Sequence, residues 1–254
     1  MLCTRCHHVE AAPDGVLCAQ CAAPAGFQAP PAGAPKVWLR SPVGLGRATA
    51  ILLAVAAAVD VFALGADLYQ YDVTGDLLGR GAGAGVRDRS DLADTLTGVA
   101  AAAQGLMLCV CAVVFVVWLW RVRRNAEVFA PDGHRKARAW VIAGWVVPFA
   151  SLWYPRRVVV DIWDASSTGE KPEGHGLINL WWTLWLLSNT VGQVLYAAFD
   201  QADTYRRIHD SLTQILVADG LDLVSALAAA AVVLRLTRMQ DEKARRGPAV
   251  PVAV

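Results

Sequence analysis

The chain has 254 residues, of which 56% are hydrophobic and only 18% are charged. Soluble domains are usually about half apolar and about a quarter charged, so this composition indicates a membrane protein. The net charge is +1, and this balance excludes the strongly basic surface that nucleic-acid binding requires. We therefore expect the lipid bilayer as a partner and no nucleic acid.

Two Cys-x2-Cys pairs stand near the start of the sequence, separated by eleven residues. Their members are Cys3, Cys6, Cys18 and Cys21. Four thiolates in this arrangement are typical of a structural zinc site, where the metal stabilises a segment too short to fold alone. We predict a zinc ribbon over residues 1–22, with one zinc ion as its cofactor.

The same cysteines allow two alternatives, because residues 3–7 match the C-x-x-C-H haem attachment motif and paired cysteines can form disulfides. Both alternatives require an oxidising compartment. Residues 1–34 contain no apolar core preceded by a basic region, so we expect no secretory signal. Zinc is therefore the favoured interpretation.

A linker, a membrane domain and a short tail follow. Residues 23–45 are rich in proline, glycine and alanine, a composition typical of a flexible linker. Residues 46–244 form the predicted membrane domain, and residues 245–254 form a C-terminal tail. The domain contains apolar stretches at 48–66, 96–120, 139–155, 176–199 and 211–234.

About 20 apolar residues span a bilayer as an α-helix, and four of the stretches reach that length. The third stretch, 139–155, is shorter, and Pro148 and Pro155 interrupt helical hydrogen bonding. We predict an all-α membrane fold with four transmembrane helices and a proline-broken segment that is re-entrant or interfacial. A further helix beginning at Pro155 is expected to lie along the interface. Its expected lipid-facing residues are Val158, Val159 and Ile162.

The distribution of lysine and arginine decides between four and five spans, because cytoplasmic flanks are enriched in these residues. With four spans, 18 of the 23 basic residues lie on the side of both termini and 5 lie on the other side. With five spans the division is 12 against 11. We therefore predict a multi-pass plasma-membrane protein with cytoplasmic N- and C-termini. Residues 67–95 then form an acidic exterior loop, flexible at its glycine-rich run 79–85.

Basic residues and tryptophans around the third stretch predict contacts with the membrane surface. Arginine suits the anionic inner leaflet, and indoles prefer the headgroup boundary. Seven of the ten tryptophans fall between residues 140 and 185. The residues predicted to be interfacial are Arg121, Arg123, Arg124, Arg156, Arg157, Trp153, Trp181 and Trp182. A tryptophan-lined binding pocket is the alternative.

Several motifs in the second half carry a family resemblance. They are RVRRNAE at 121–127, GWVVPFASLWYPRR at 144–157, DIWDAS at 161–166, NLWWTLW at 179–185 and RLTRMQ at 235–240. From about residue 47 to about residue 243 the chain resembles the bacterial membrane family known as domain of unknown function 4328, although Ser151 stands where relatives often carry asparagine. The resemblance implies a polytopic membrane protein, frequently with an N-terminal zinc ribbon, and implies no activity.

The candidate polar residues inside the predicted spans are Asp60, Asn179, Gln193, Asp219 and Asp222. A carboxyl group costs about 3 kcal/mol at the middle of the bilayer, so we expect these side chains to face the interior of the bundle. Asp219 and Asp222 share one helical stripe, and Asn179 and Gln193 share another. These groups either fix the register of the helices or form a site that responds to protons or cations.

The sequence contains no P-loop, nucleophile elbow or zinc-protease motif, so no enzymatic activity is expected. Our hypothesis is a non-enzymatic interaction or regulatory protein whose zinc ribbon binds a cytosolic protein partner. The alternative is a small transporter or lipid-handling protein that uses the intramembrane aspartates.

Overall fold

The computed structural model describes residues 2–4, 8, 10, 39–81, 83–131, 133–169, 173–200 and 204–246. At Arg80, Ala84, 193–200 and Tyr205 only the backbone is described. The chain divides into two units, Met1–Trp38 and Leu39–Val254.

In the first unit, Leu2 and Glu10 form an antiparallel backbone bridge, and Cys3 is buried. The two bridged residues enclose the first Cys-x2-Cys pair in the sequence. The remaining predicted zinc ligands and linker residues 23–38 lie outside the described residues. These ligands are Cys6, Cys18 and Cys21. The zinc ribbon and the linker therefore stay predictions.

The second unit is helical in the part that the structure describes. Its helices are α1 (Val43–Arg80), α2 (Ala84–Phe129), α3 (Trp140–Val146), α4 (Tyr154–Ser166), α5 (Gly176–Asp200) and α6 (Tyr205–Arg246), with a short 3-10 turn at Ala150–Leu152. Among the described residues, α1, α2 and α6 are long and apolar enough to cross a membrane. The predicted helical fold is thereby confirmed for the described part of this unit, and three of its helices have the length and apolar composition of membrane spans.

Helices α1 and α6 lie antiparallel. Thr74 Oγ1 in the last part of α1 is 3.1 Å from His209 Nδ1 in the first part of α6. Gly46, near the start of α1, packs closely against Thr237, late in α6. We call the end of the bundle at Gly46 and Thr237 the basic end, and the end at Thr74 and His209 the acidic end.

A polar network joins α2, α4, α6 and the backbone that precedes α1 at the basic end. Asn125 Nδ2 donates to the Arg40 carbonyl oxygen at 2.8 Å and to Gln240 Oε1 at 3.1 Å. Gln240 Nε2 donates in turn to the Val122 carbonyl oxygen at 2.8 Å and to Ser166 Oγ at 3.1 Å. Because each buried amide is satisfied by groups on other helices, the network fixes the helices relative to one another.

The third apolar stretch is broken at Pro148, as predicted. Helix α3 ends at Val146, and α4 begins at Tyr154 with Pro155 in its first turn. Between them Phe149 has a φ of 63°, a left-handed conformation that no helix of L-residues continues through.

The segment from α2 to α5 begins and ends at the basic end. At its start, Arg123 Nη2 donates to the Lys136 carbonyl oxygen at 2.7 Å. At the end of α4, Lys243 Nζ donates to the carbonyl oxygens of Ala165 and Ser167 at 2.8 and 2.9 Å. The segment thus returns to the end of the bundle from which it departs.

The prediction that α4 faces lipid is wrong. Its apolar residues Val158, Val159 and Ile162 are almost completely buried. The reason is that α4 packs against α2, α5 and α6, so that protein and not lipid covers this face.

The prediction that residues 67–95 form a loop is also wrong, whereas their predicted exterior position stays a prediction. Helices α1 and α2 continue through this segment except around Gly81, whose φ of 76° allows the chain to turn. Arg89 of α2 forms 2.6 Å ion pairs with Asp72 and Asp76 of α1. These pairs link the two helices beyond their apolar parts.

Gly46 provides a test of this packing. A Cβ atom at Gly46 would lie 2.3 Å from Thr237 Oγ1, and that oxygen accepts a 3.0 Å hydrogen bond from Trp118 Nε1. We expect Gly46→Ala to lower the free energy of unfolding by about 1–3 kcal/mol, because Thr237 must move. Thermal unfolding in detergent measures this change.

The matched control is Gly65→Ala, also within α1, where no atom lies within 4 Å of the added carbon. Alanine is the better helix former, so this variant should be stabilised by up to about 1 kcal/mol. Equal melting temperatures for the two variants would contradict the close α1–α6 contact.

Candidate ligand cavity

A cavity of about 680 Å³ lies between α1, α2, α5 and α6, with Trp145 of α3 contributing to its wall. This volume is within the range of small-molecule sites, which run from about 300 to 1,000 Å³. Most of the lining is apolar, and the polar side chains are few. Those of α1, α2 and α6 lie together, which gives the cavity one polar side.

The polar side is built from three helices. Asp60 of α1 is only 8% exposed, and its Oδ1 accepts a 3.3 Å hydrogen bond from Gln104 Nε2 of α2. The same amide nitrogen donates to Asp219 Oδ1 of α6 at 3.4 Å. Asp222, one turn further along α6, lines the cavity and is hydrogen-bonded to Ser188 of α5. The predicted grouping of Asp60, Asp219 and Asp222 is therefore present.

A fourth carboxyl group, Asp67, completes what we call the carboxyl cluster: Asp60, Asp67, Asp219 and Asp222. Asp67 is buried in α1, and its side chain is hydrogen-bonded to that of Asp219.

Asp67 is not among the residues predicted from the sequence, because the first apolar stretch ends at residue 66 and Asp67 falls in the predicted loop 67–95. One signal was present in the sequence. Asp60 and Asp67 are seven residues apart, about two helical turns, so a helix that continues places both on the same face.

Polar contacts continue from the carboxyl cluster toward the acidic end. Gln70 of α1 donates to Asp94 Oδ1 at 3.2 Å and accepts from Thr97 Oγ1 at 3.0 Å. One turn further, Thr74 contacts His209. The interface of α1 with α2 and α6 is therefore polar over much of its length.

Aromatic side chains cover another side of the cavity. We call Phe115, Trp145, Trp181 and Trp185 the aromatic wall. The rings of Trp145 and Trp185 are perpendicular, with centroids 5.5 Å apart, and Phe115 lies 5.8 Å from Trp181. The Trp145 Nε1 atom is buried and has no hydrogen-bond partner among the described residues.

The predicted interfacial tryptophans occupy different environments. Trp181 and Trp182 are buried in the core, and Trp182 Nε1 donates to the Leu152 carbonyl oxygen at 3.1 Å. Trp153 is 45% exposed. Of these three tryptophans, Trp181 lines the cavity, which agrees with the alternative prediction of a tryptophan-lined pocket.

The cavity opens at the surface between α2 and α5. Leu108 of α2 lines the cavity and is nevertheless 70% exposed, and Ala112 of α2 and Asn189 of α5 are also both lining and exposed. Leu108 is at the middle of the apolar stretch 96–120. In a bilayer spanned by α2, the opening would therefore face hydrocarbon.

The arginines predicted to be interfacial lie at the basic end. Arg123 is buried, and its Nε donates to Glu127 Oε1 at 3.1 Å. The others are partly or fully exposed, namely Arg121, Arg124, Arg156 and Arg157. Burial lowers the pKa of His134 in the adjacent loop, and the Arg123 guanidinium adds to this effect.

Asn179 does not belong to the interior polar side, contrary to the prediction. Asn179 is exposed, and its Oδ1 accepts hydrogen bonds from Arg156 Nε and Nη2 at 3.1 and 2.5 Å. Thr183 and Thr190, on the same stripe of α5, are exposed as well. The side chain of Gln193 lies outside the described residues. The face of α5 that lines the cavity carries Trp181, Trp185, Ser188 and Gly192 instead.

In the described part of its second unit the chain is helical, with three helices apolar enough to span a membrane and an internal, partly polar cavity, and this is the form of a membrane-embedded helical protein. Within that class, the chain belongs to the family described as Domain of unknown function (DUF4328), whose model matches residues 83–238, more than half of the chain. This match begins after α1. No curated protein and no solved structure matches the chain.

Proposed function

We propose that this protein binds a small amphipathic molecule taken from the bilayer, and that it is a non-enzymatic binding or regulatory protein. The single observation that carries the proposal is the 680 Å³ cavity, apolar over most of its lining, that opens between α2 and α5. An apolar cavity with a few convergent polar groups is the usual form of a small-molecule site.

The position of the opening supports a ligand that is dissolved in the membrane. Its rim carries the apolar residues Leu108 and Ala112, at the middle of the α2 apolar stretch. The polar side at Asp60 and Asp222 would hold the polar group of the ligand. Buried polar groups need hydrogen-bond partners, and a ligand supplies additional ones.

Transport is the second candidate function, and one observation favours it. The carboxyl cluster continues through Gln70 and Thr74 toward the acidic end. Side chains of this kind line proton and ion pathways in membrane proteins.

We also propose the four-span arrangement in the plasma membrane, with both termini cytoplasmic. Helix α5 has 25 residues and no charged residue before Asp200, which is sufficient for a fourth span. The segment carrying α3 and α4 returns to the basic end, so it does not need to cross. The basic residues gathered at that end favour the cytoplasmic side.

Cysteine labelling tests this topology in a background from which the native cysteines are removed. In intact cells, an impermeant maleimide should label Asp91→Cys at the acidic end, and should label Arg245→Cys at the basic end only after permeabilisation. Labelling of Arg245→Cys in intact cells would contradict the arrangement.

For the N-terminal unit we propose a cytoplasmic zinc ribbon that contacts a cytosolic protein. The Leu2–Glu10 bridge around the first cysteine pair and the burial of Cys3 support a ribbon-like turn. Closed four-cysteine sites of this type are structural, so the metal would stabilise the unit and would not take part in a reaction.

Metal analysis of the purified protein tests the ribbon. We expect one zinc per chain in the wild type and its loss in the double variant Cys3→Ser/Cys18→Ser. The control is Cys109→Ser/Cys111→Ser within α2, which should keep its zinc. Haem absorption in the wild type, or equal zinc in all three proteins, would show that the assignment is wrong.

The cavity itself is tested by filling it. Ala112→Trp places an indole at the opening, and we expect it to abolish saturable binding of decanol, an uncharged amphipathic probe, in phosphatidylcholine nanodiscs. Ala102→Trp is the control, because Ala102 is exposed on α2 and does not line the cavity. Fluorescence quenching, corrected with empty nanodiscs, measures binding. Equal binding by both variants would contradict a ligand in this cavity.

A further inference from the structure

The cavity has two carboxyl groups on one side and, among the described residues that line it, no basic side chain to balance them. Asp60 and Asp222 line it from α1 and α6, and no lysine, arginine or histidine is among the described residues that line it. The donors found for these two carboxyl groups are neutral ones, the Gln104 amide and the Ser188 hydroxyl.

Two basic side chains elsewhere in the described part of the bundle, those of Arg89 and Arg123, are engaged with other acids. Arg89 pairs with Asp72 and Asp76 at the acidic end, and Arg123 pairs with Glu127 at the basic end. Taking a carboxylate out of water is costly unless an opposite charge lies close to it. The positive charge that would stabilise ionised Asp60 and Asp222 can therefore come from a bound ligand.

The aromatic wall suits the same chemistry. The faces of tryptophan and phenylalanine rings carry negative electrostatic potential and attract ammonium groups, tryptophan most strongly. Phe115, Trp145, Trp181 and Trp185 all border the cavity that Asp60 and Asp222 line. Carboxylates combined with indole rings form a typical environment for an alkylammonium group, and one that disfavours an anion.

We propose that the ligand is a compact amphipathic cation, with an ammonium nitrogen placed between Asp60 and Asp222 and an apolar body extending toward the opening at Leu108. This inference rests on the proposed ligand cavity and adds the charge of the ligand. A cavity of this volume takes a ligand of drug-like size and not a whole two-chain phospholipid. The ligand is therefore a single-chain or compact amine, and not a membrane lipid.

Three probes with the same apolar chain test the charge: decyltrimethylammonium, decanol and decyl sulfonate. Binding to the wild type is measured in phosphatidylcholine nanodiscs by fluorescence quenching, with empty nanodiscs as the correction for partitioning. We expect the cation to bind at least about tenfold more tightly than decanol, and the anion to bind most weakly. Addition of phosphatidylethanolamine to the nanodiscs should not displace the cation.

Isosteric variants locate the interaction. Asp60→Asn and Asp222→Asn keep the size and hydrogen-bonding capacity of the side chain but remove its charge, so each should weaken cation binding at least about tenfold and weaken decanol binding by a much smaller factor. Asp91→Asn is the control, because Asp91 is exposed on α2 and lies outside the cavity lining. The comparison of the three probes on the wild-type protein tests the charge of the ligand even if a variant fails to fold.

The outcomes separate this inference from the function on which it rests. Saturable decanol binding that is as tight as cation binding would overturn the cationic ligand and leave the cavity function intact. If phosphatidylethanolamine displaces the bound cation, the ligand is a lipid headgroup and not a compact amine, and the inference is overturned. If none of the three probes binds saturably, the ligand-binding function fails as well.

Discussion

The hydrogen bonds donated by Gln104 are the interaction on which the arrangement of this bundle depends. One side-chain amide on α2 donates to Asp60 of α1 and to Asp219 of α6. Carboxyl groups are costly inside a membrane-spanning bundle unless they are paired, so these bonds hold the three helices in one register. Helix α5 packs on α6, and the cavity is the space that remains between α5 and α2.

The two ends of the bundle are held by different means. At the basic end, Asn125 and Gln240 form a network of neutral amides that reaches three helices and the backbone before α1. At the acidic end, Arg89 pairs with Asp72 and Asp76 in ion pairs that are partly exposed. Exposed ion pairs contribute little stability, typically below about 1 kcal/mol each, so the basic end is expected to be the more rigid one.

Much of the fold follows from the sequence, because apolar length and proline act locally. The helical character of α1, α2 and α6 and the break at Pro148 needed no knowledge of neighbouring helices. Predicting which side chains are buried did require knowledge of the neighbouring helices. The stripe of α5 that carries Asn179 was expected to face inward, yet the face with Trp181 and Trp185 is buried instead.

The sequence could not identify the buried face of α5, because each of its two faces carries side chains that are suited to burial. A stripe of amide and hydroxyl groups and a stripe of indoles can each be buried. The choice depends on Phe115 and Trp145, which come from other helices and provide the surface on which the indoles pack. Asn179 in turn finds Arg156, a partner on α4 that the sequence pattern could not place. Asp67 was missed for a related reason, since the helical continuation that buries it depends on contacts with α2 and α6.

A cavity that opens to hydrocarbon restricts where binding selectivity can originate. Lipid chains are as apolar as the cavity walls, so moving an apolar group from the bilayer to Leu108 or Ala112 gains little hydrophobic free energy. A ligand that already lies in the membrane must therefore gain its affinity from contacts that lipid chains cannot make. Inside this cavity those contacts are available at the aromatic wall and at the two lining carboxyl groups, Asp60 and Asp222. Because lipid chains compete equally for the apolar surface, the polar side of the cavity determines which molecule is retained.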